Sequence, residues 1–187
     1  FQHHLGVATL NIGFSGSLDP GTGGSGVYHS IYDTFDWYSR FADPSFVYGR
    51  ALAQVAGTLL VRLADARVLP FEFMNLAETL ERYVEELEKL KREDVDLAPL
   101  RPAVAELKKA AEKLEAGRKN AKSLSAARAS EVNAALYRVE RAMLKAEGLP
   151  GRDWYRHQFY APGFYTGYDA KTLPGIREAI EEKQWGE

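Results

Sequence analysis

The chain has 187 residues, with 24 basic and 26 acidic side chains and no cysteine. That near-neutral balance gives no broad electrostatic pull toward nucleic acid or an anionic bilayer, and the absence of thiols excludes a disulfide framework and any thiolate metal site. An apolar content of 45%, with 12% aromatic residues, is enough for a packed core and argues against disorder.

Taken in chain order, Leu5 to Ile12 is a short apolar run with β-branched residues, and turn residues follow from Gly13. It predicts a buried strand whose sheet partners must come from elsewhere, because a lone strand is not stable. Ser15 to Gly26 is dominated by Gly, Ser, Asp and Pro, and lacks the Gly-Lys-Ser/Thr ending of a phosphate-binding loop. Asp43-Pro44 predicts a helix start, the aspartate accepting unpaired N–H groups and the proline sitting where none is needed. This helix is expected to run to about Arg67. Ala51, Leu52, Ala53, Val55, Ala56, Leu59, Leu60 and Leu63 leave it almost no polar face, which predicts burial between layers.

The next helix, about Leu76 to Arg92, carries Leu76, Leu80, Tyr83, Leu87 and Leu90 at alternating steps of four and three. Glu78 with Arg82, Glu85 with Lys89 and Glu88 with Arg92 form its solvated side. Leu97, Leu100, Val104, Leu107, Ala111 and Leu114 repeat the pattern in a third helix ending near Gly117. Val132, Leu136, Val139 and Met143 do so in a fourth, closed by Gly148-Leu149-Pro150. Four helices with short or moderate connections predict a bundle. Beyond Pro150 the period is lost, and Trp154, Tyr155, Phe159, Tyr160, Phe164, Tyr165 and Tyr168 predict an ordered aromatic loop before a last helix from about Pro174 to Trp185. No run approaches the roughly 18 apolar residues of a membrane span, and no signal-peptide pattern opens the chain.

His29 stands in a loop among aromatics, in Gly26-Val27-Tyr28-His29-Ser30-Ile31-Tyr32, with no His/Asp/Glu cluster at ligand spacing around it. By itself such a histidine reads as structural. Adjacent His3 and His4 would point to opposite faces of a strand, so they do not form a metal pair. His157 is expected to hydrogen-bond within its loop, Asp33 to serve a turn or cap, and neither Ser30 nor Ser125 has the surroundings of a nucleophile.

Several separated motifs occur together: Leu5-Gly6-Val7-Ala8, Tyr28-His29-Ser30, Arg40-Phe41-Ala42-Asp43-Pro44, Leu69-Pro70-Phe71, Tyr155-Arg156-His157, Tyr160-Ala161-Pro162 and Leu173-Pro174-Gly175-Ile176. In this order they resemble the glutamate carboxypeptidase II and transferrin receptor-like family, in which a zinc peptidase domain runs into a helical dimerisation domain. The resemblance implies a mainly α fold: a helical dimerisation bundle with a short terminal strand and loop segment of an α/β peptidase domain. It divides the chain into residues 1–42 (strand and metal-ligand loop), 43–150 (four-helix dimerisation bundle) and 151–187 (aromatic loop and final helix returning to the peptidase site).

By the same resemblance His29 matches the last zinc ligand of a two-zinc exopeptidase. Its remaining ligands and catalytic glutamate would lie N-terminal to Phe1, so no catalytic residue is assigned in this chain. Tyr28 matches a tyrosine lining the pocket for the substrate's terminal residue, with simple packing as the alternative. Tyr168 matches one that binds the terminal carboxylate, or else fills the loop core. Gly167 falls where glutamate carboxypeptidase II has a lysine that grips that end of the substrate, which leaves open a pocket for another residue or a shifted basic group such as Lys171. The implied partners are a second copy of the chain and a peptide or acyl-amino-acid substrate, with no nucleic acid, and the implied location is outside the cytoplasm. The competing function is a receptor-like interaction module without catalysis.

Overall fold

In the computed structural model, which describes residues 1–14, 27–90, 95–167 and 169–183, the chain is mainly α-helical. It separates into two compact units, Phe1–Thr9 with Arg67–Glu187, and Leu10–Ala66.

The core of the larger unit follows from the apolar stripe of its second helix. After α1 (Gln2–Leu5), and with α2 (Phe35–Trp37) and α3 (Val47–Ala64) in the other unit, α4 (Phe73–Leu90) buries Ala77, Leu80, Val84 and Leu87 at steps of three, four and three. Such steps keep one face of a 3.6-residue helix turned inward. The partner is α5 (Leu100–Arg118), whose Val104 and Leu107 pack against that stripe. Arg101 pairs with Glu88 at 2.6 Å and Lys108 with Glu81 at 3.3 Å, so the two helices run antiparallel. These exposed pairs fix register more than they add stability.

The fourth expected helix is broken. α6 (Ala126–Leu136) starts at Ser125, whose hydroxyl accepts the Arg128 N–H, and α7 (Val139–Ala142) is a single further turn. Leu136 and Met143 are both buried, so the apolar period continues through the change of direction. Asn133 on α6 holds the segment before α4, accepting from Leu69 N at 2.8 Å and donating to Arg67 O at 3.0 Å. Gly148 closes the turn after α7 with φ of 76°, and a Cβ there would lie 2.4 Å from the Asp153 backbone. Only glycine fits that approach.

Two short strands inside the expected aromatic loop form an antiparallel pair, β1 (Tyr160–Pro162) with β2 (Ala170–Thr172), in the register Tyr160 opposite Thr172. Each has only three residues, too few for a readable alternation. The last helix, α8 (Pro174–Glu182), starts at a proline, as expected, and lays Ile176 and Ile180 against the α4 core. Arg177 ties it in place, donating to Thr172 O at 2.9 Å and to Glu86 at 2.6 Å.

In the smaller unit, α2 passes through a π turn (Tyr38–Ala42) to Asp43, which is buried. Its carboxylate accepts from Val47 N at 2.7 Å, Gly49 N at 2.9 Å and the Tyr38 hydroxyl at 3.1 Å. The aspartate therefore satisfies the helix start, as the sequence predicts, although the first helical residue is Val47. Burial alone would push its acidity down, but the N–H groups of Gly49, Tyr48 and Val47 and the Tyr38 hydroxyl hold the pKa below its ordinary value.

Two expectations are corrected. Leu5 to Ile12 forms no strand: Gln2–Leu5 is a short helix, and the residues after Gly6 are irregular, with Leu10 exposed. A strand needs neighbours to pair its backbone, and these residues have none here. The expected burial of α3 is also absent. None of its residues is buried, and Leu60 is 68% exposed. Its apolar circumference is as the sequence predicts, and nothing among the described residues buries it.

Candidate functional site

The loop containing His29 is built by short-range hydrogen bonds. Ser30 N donates to Val27 O at 2.9 Å, Asp33 N to Ser30 O at 3.1 Å, and Tyr32 N to the Ser30 hydroxyl at 3.1 Å. Thr34 then opens α2 by accepting the Trp37 N–H, so the cap beside the loop is Thr34 while Asp33 serves the turn. His29 itself has φ of 62°, an unusual conformation for a residue with a Cβ. Its ring stacks on Tyr28 at 3.8 Å between centroids, and both side chains are exposed. Left-handed backbone at a non-glycine residue costs about 1 kcal/mol or more, a conformation His29 shares with Phe46, Leu173 and Lys183.

A metal centre requires converging donors, and no group of three or more His, Asp or Glu side chains that could hold an ion exists among the described residues. Zinc hydrolase sites take several imidazole and carboxylate ligands. One exposed imidazole is a single donor of such a set, so these residues do not by themselves accommodate zinc. Tyr168 lies outside the described residues. Gly167 is described, with φ of 62° and no atom near the position of a Cβ, while Lys171 is held in an ion pair with Glu181. Lys171 is thus already engaged on β2 and α8.

A second cluster, which sequence reasoning did not find as a unit, lies in the larger body. His157 is fully buried. Its Nδ1 accepts the N–H of Phe159 at 3.2 Å and, more weakly, of Tyr160 at 3.4 Å, so that nitrogen carries no proton. The proton is on Nε2, which donates to Glu140 Oε1 at 3.2 Å. The same oxygen accepts from Gln2 Nε2 at 2.8 Å and from the Tyr160 hydroxyl at 2.9 Å, and Gln2 also donates to that hydroxyl. The hydrogen bond from His157, opposed by desolvation and reinforced by Gln2 and Tyr160, lowers the Glu140 pKa from 4.5 to about 2. Burial, then the neighbouring carboxylate, pushes the Tyr160 phenol up, and burial, then His157, pushes His3 down. His157 does hydrogen-bond within its loop, as expected. Its partner across 17 residues, and Gln2 across 138, carry no local sequence signal.

His3 and His4 sit on α1 and not on a strand. His4 stacks on Trp154 at 4.0 Å, with Nδ1 2.8 Å from the Trp154 carbonyl, while the His3 ring faces Tyr155 and Tyr160. Neither forms part of a metal group among the described residues.

Comparison with known proteins places these features in context. The family described as the transferrin receptor-like dimerisation domain matches residues 95–187. A probable glutamate carboxypeptidase, LAMP1, of Arabidopsis thaliana is 34% identical over 182 residues, covering 97% of this chain and 25% of that protein. The aminopeptidase NAALADL1 of Mus musculus is 29% identical over 198 residues, 98% of this chain and 25% of that protein. An inactive zinc metalloprotease, C354.09c, of Schizosaccharomyces pombe is 24% identical over 163 residues, 81% of this chain and 20% of that protein. The chain spans about a quarter of the length of the first two relatives.

Proposed function

We propose, from the premise that this chain belongs to the transferrin receptor-like zinc peptidase family, that it is the part of a two-zinc exopeptidase carrying the dimerisation domain and one metal ligand. Residues 1–42 then belong to the edge of the peptidase domain with its ligand loop, 43–150 to the dimerisation bundle, and 151–187 return to the substrate site. The observation that carries this reading is the match of the dimerisation domain to residues 95–187, joined to relatives named carboxypeptidase and aminopeptidase that align with almost the whole chain.

His29 is the proposed zinc donor, its exposed ring free to meet ligands supplied by other parts of the protein. Tyr28, 59% exposed and stacked beside it, and Tyr168 shape the pocket for a peptide or acylated amino acid. No reaction step follows from one donor alone. The competing reading is a receptor-like module that binds without catalysis, and the relative named as an inactive metalloprotease favours keeping it in the test.

In the intact protein, His29→Ala is expected to lower bound zinc, measured by elemental analysis, and to reduce exopeptidase activity at least about a hundredfold, since even outer-shell changes cost ten- to a hundredfold. Unchanged zinc and full activity in the variant would remove the ligand assignment. An intact wild-type protein with neither zinc nor activity would favour the interaction module. The proposed homodimer is tested by sedimentation, where the 187-residue chain should run at twice its 20.9 kDa mass at micromolar concentration. A single monomeric species over that range would count against the bundle as an isologous interface.

A further inference from the structure

The amino-terminal segment is far too short to hold a helix by itself, yet Gln2–Leu5 is helical. Its fixings all come from one region of the larger unit. His3 O accepts the N–H of Arg156 at 2.8 Å and of His157 at 3.1 Å. Gly6, with φ of 59°, lets the chain pass so close to α7 that a Cβ would lie 2.8 Å from the Arg141 Cα. The Gln2 side chain reaches Glu140 on α7 and Tyr160 on β1, and the Thr9 hydroxyl donates to the Gln2 amide oxygen at 3.3 Å. One carboxylate oxygen therefore gathers donors from three separate segments: α1, the His157 loop and β1.

We propose that Glu140 is a positioning residue, a clasp that holds α1 against α7 and the His157–Tyr160 segment so that these parts move as one body. The chemistry suits a carboxylate. Every group facing that oxygen is a donor, and an ionised carboxyl is the side chain that offers only lone pairs. Hydrogen bonds to a charged acceptor are also stronger than neutral ones. The clasp fixes His157 in the Nε2–H form, with Nδ1 committed to the backbone. All of these groups belong to the unit made of Phe1–Thr9 and Arg67–Glu187, so the clasp acts within that unit.

The test is a double-mutant cycle on the intact protein with Gln2→Ala, Glu140→Gln and the pair, read by amide exchange at Leu5 and Gly6, whose N–H groups close α1. Gln2→Ala should speed exchange there about tenfold and Glu140→Gln at least tenfold, in line with a hydrogen bond to a charged group. The pair should exceed Glu140→Gln by no more than about twofold, because both substitutions open the same network. Multiplying factors, or no change in either single variant, would overturn the clasp. A spectroscopic signature accompanies it: a protected, downfield His157 Nε2–H proton in the wild type that disappears in Glu140→Ala and persists in Gln2→Ala. Its absence from the wild type would also overturn the proposal. If Glu140→Gln does not fold, Gln2→Ala decides alone by the same exchange criterion. Zinc analysis of the wild type in parallel keeps the two readings apart, since loss of the peptidase reading leaves the exchange result to stand or fall by itself.

Discussion

Glu140→Gln is expected to be less stable than the wild type by on the order of 3 kcal/mol at pH 7, with the gap shrinking by more than half at pH 3. The sign follows from the direction of the shift. A carboxyl whose pKa falls from 4.5 to about 2 on folding contributes stability that is complete above its unfolded value and is lost as pH drops toward its folded one. The difference between 4.5 and about 2, at about 1.36 kcal/mol per tenfold change in acidity, sets the magnitude. The Glu140 side chain is only 15% exposed, so solvent screening removes little of it. Urea unfolding of both proteins between pH 7 and pH 3 is the measurement. A gap that stays constant with pH would show that the loss is one of shape and not of charge.

Leu87→Ala should cost about 2–5 kcal/mol, because Leu87 has no exposed surface and packs in the cluster that joins α4 to Leu97, Leu173 and Ile180. Truncation removes apolar contacts and leaves a cavity that three separate segments would have to close together. Leu60→Ala, on the exposed face of α3, is the control in the same denaturation series. It should change the stability of the 187-residue chain by less than about 0.5 kcal/mol. Equal losses at the two positions would mean that α3 is covered in solution and that the burial described above is incomplete.

The reach of the sequence can be judged residue by residue. Leu80 and Leu87, at heptad-like spacing, announced a one-sided helix and are its buried face, and Pro174 correctly marked the start of α8. These signals are local, and local periodicity is what a sequence displays. Leu5 to Ile12 has the composition of a strand but forms none, because a strand is a property of a sheet, and the pattern of one segment cannot say whether its neighbours are present. The break at Tyr137 and Arg138 was hidden because Leu136 and Met143 stay buried on either side of it. β1 and β2 are too short to show a period, and β1 ends in Pro162, a residue uncommon within strands.

At the candidate sites the division is sharper. The turn built by Ser30 and the cap at Thr34 are short-range and follow from residue type. His29 entered through likeness to a family, not through any pattern of ligands, and the structure adds an unusual backbone conformation at that position. The Glu140 network could not be read, since Gln2 lies 138 residues from Glu140 and 158 from Tyr160 in the chain. His157 gave the only hint, as a histidine set among aromatics that would need a partner once buried.

That separation has a consequence during synthesis. Synthesis adds about 5–20 residues per second, so Gln2 is incorporated roughly 7 to 30 s before Glu140. For that interval the segment around Gln2 has no docking place. The helical hairpin of α4 and α5, whose contacts are close in sequence, can condense first, and the segment around Gln2 docks only once α7 and β1 have been made.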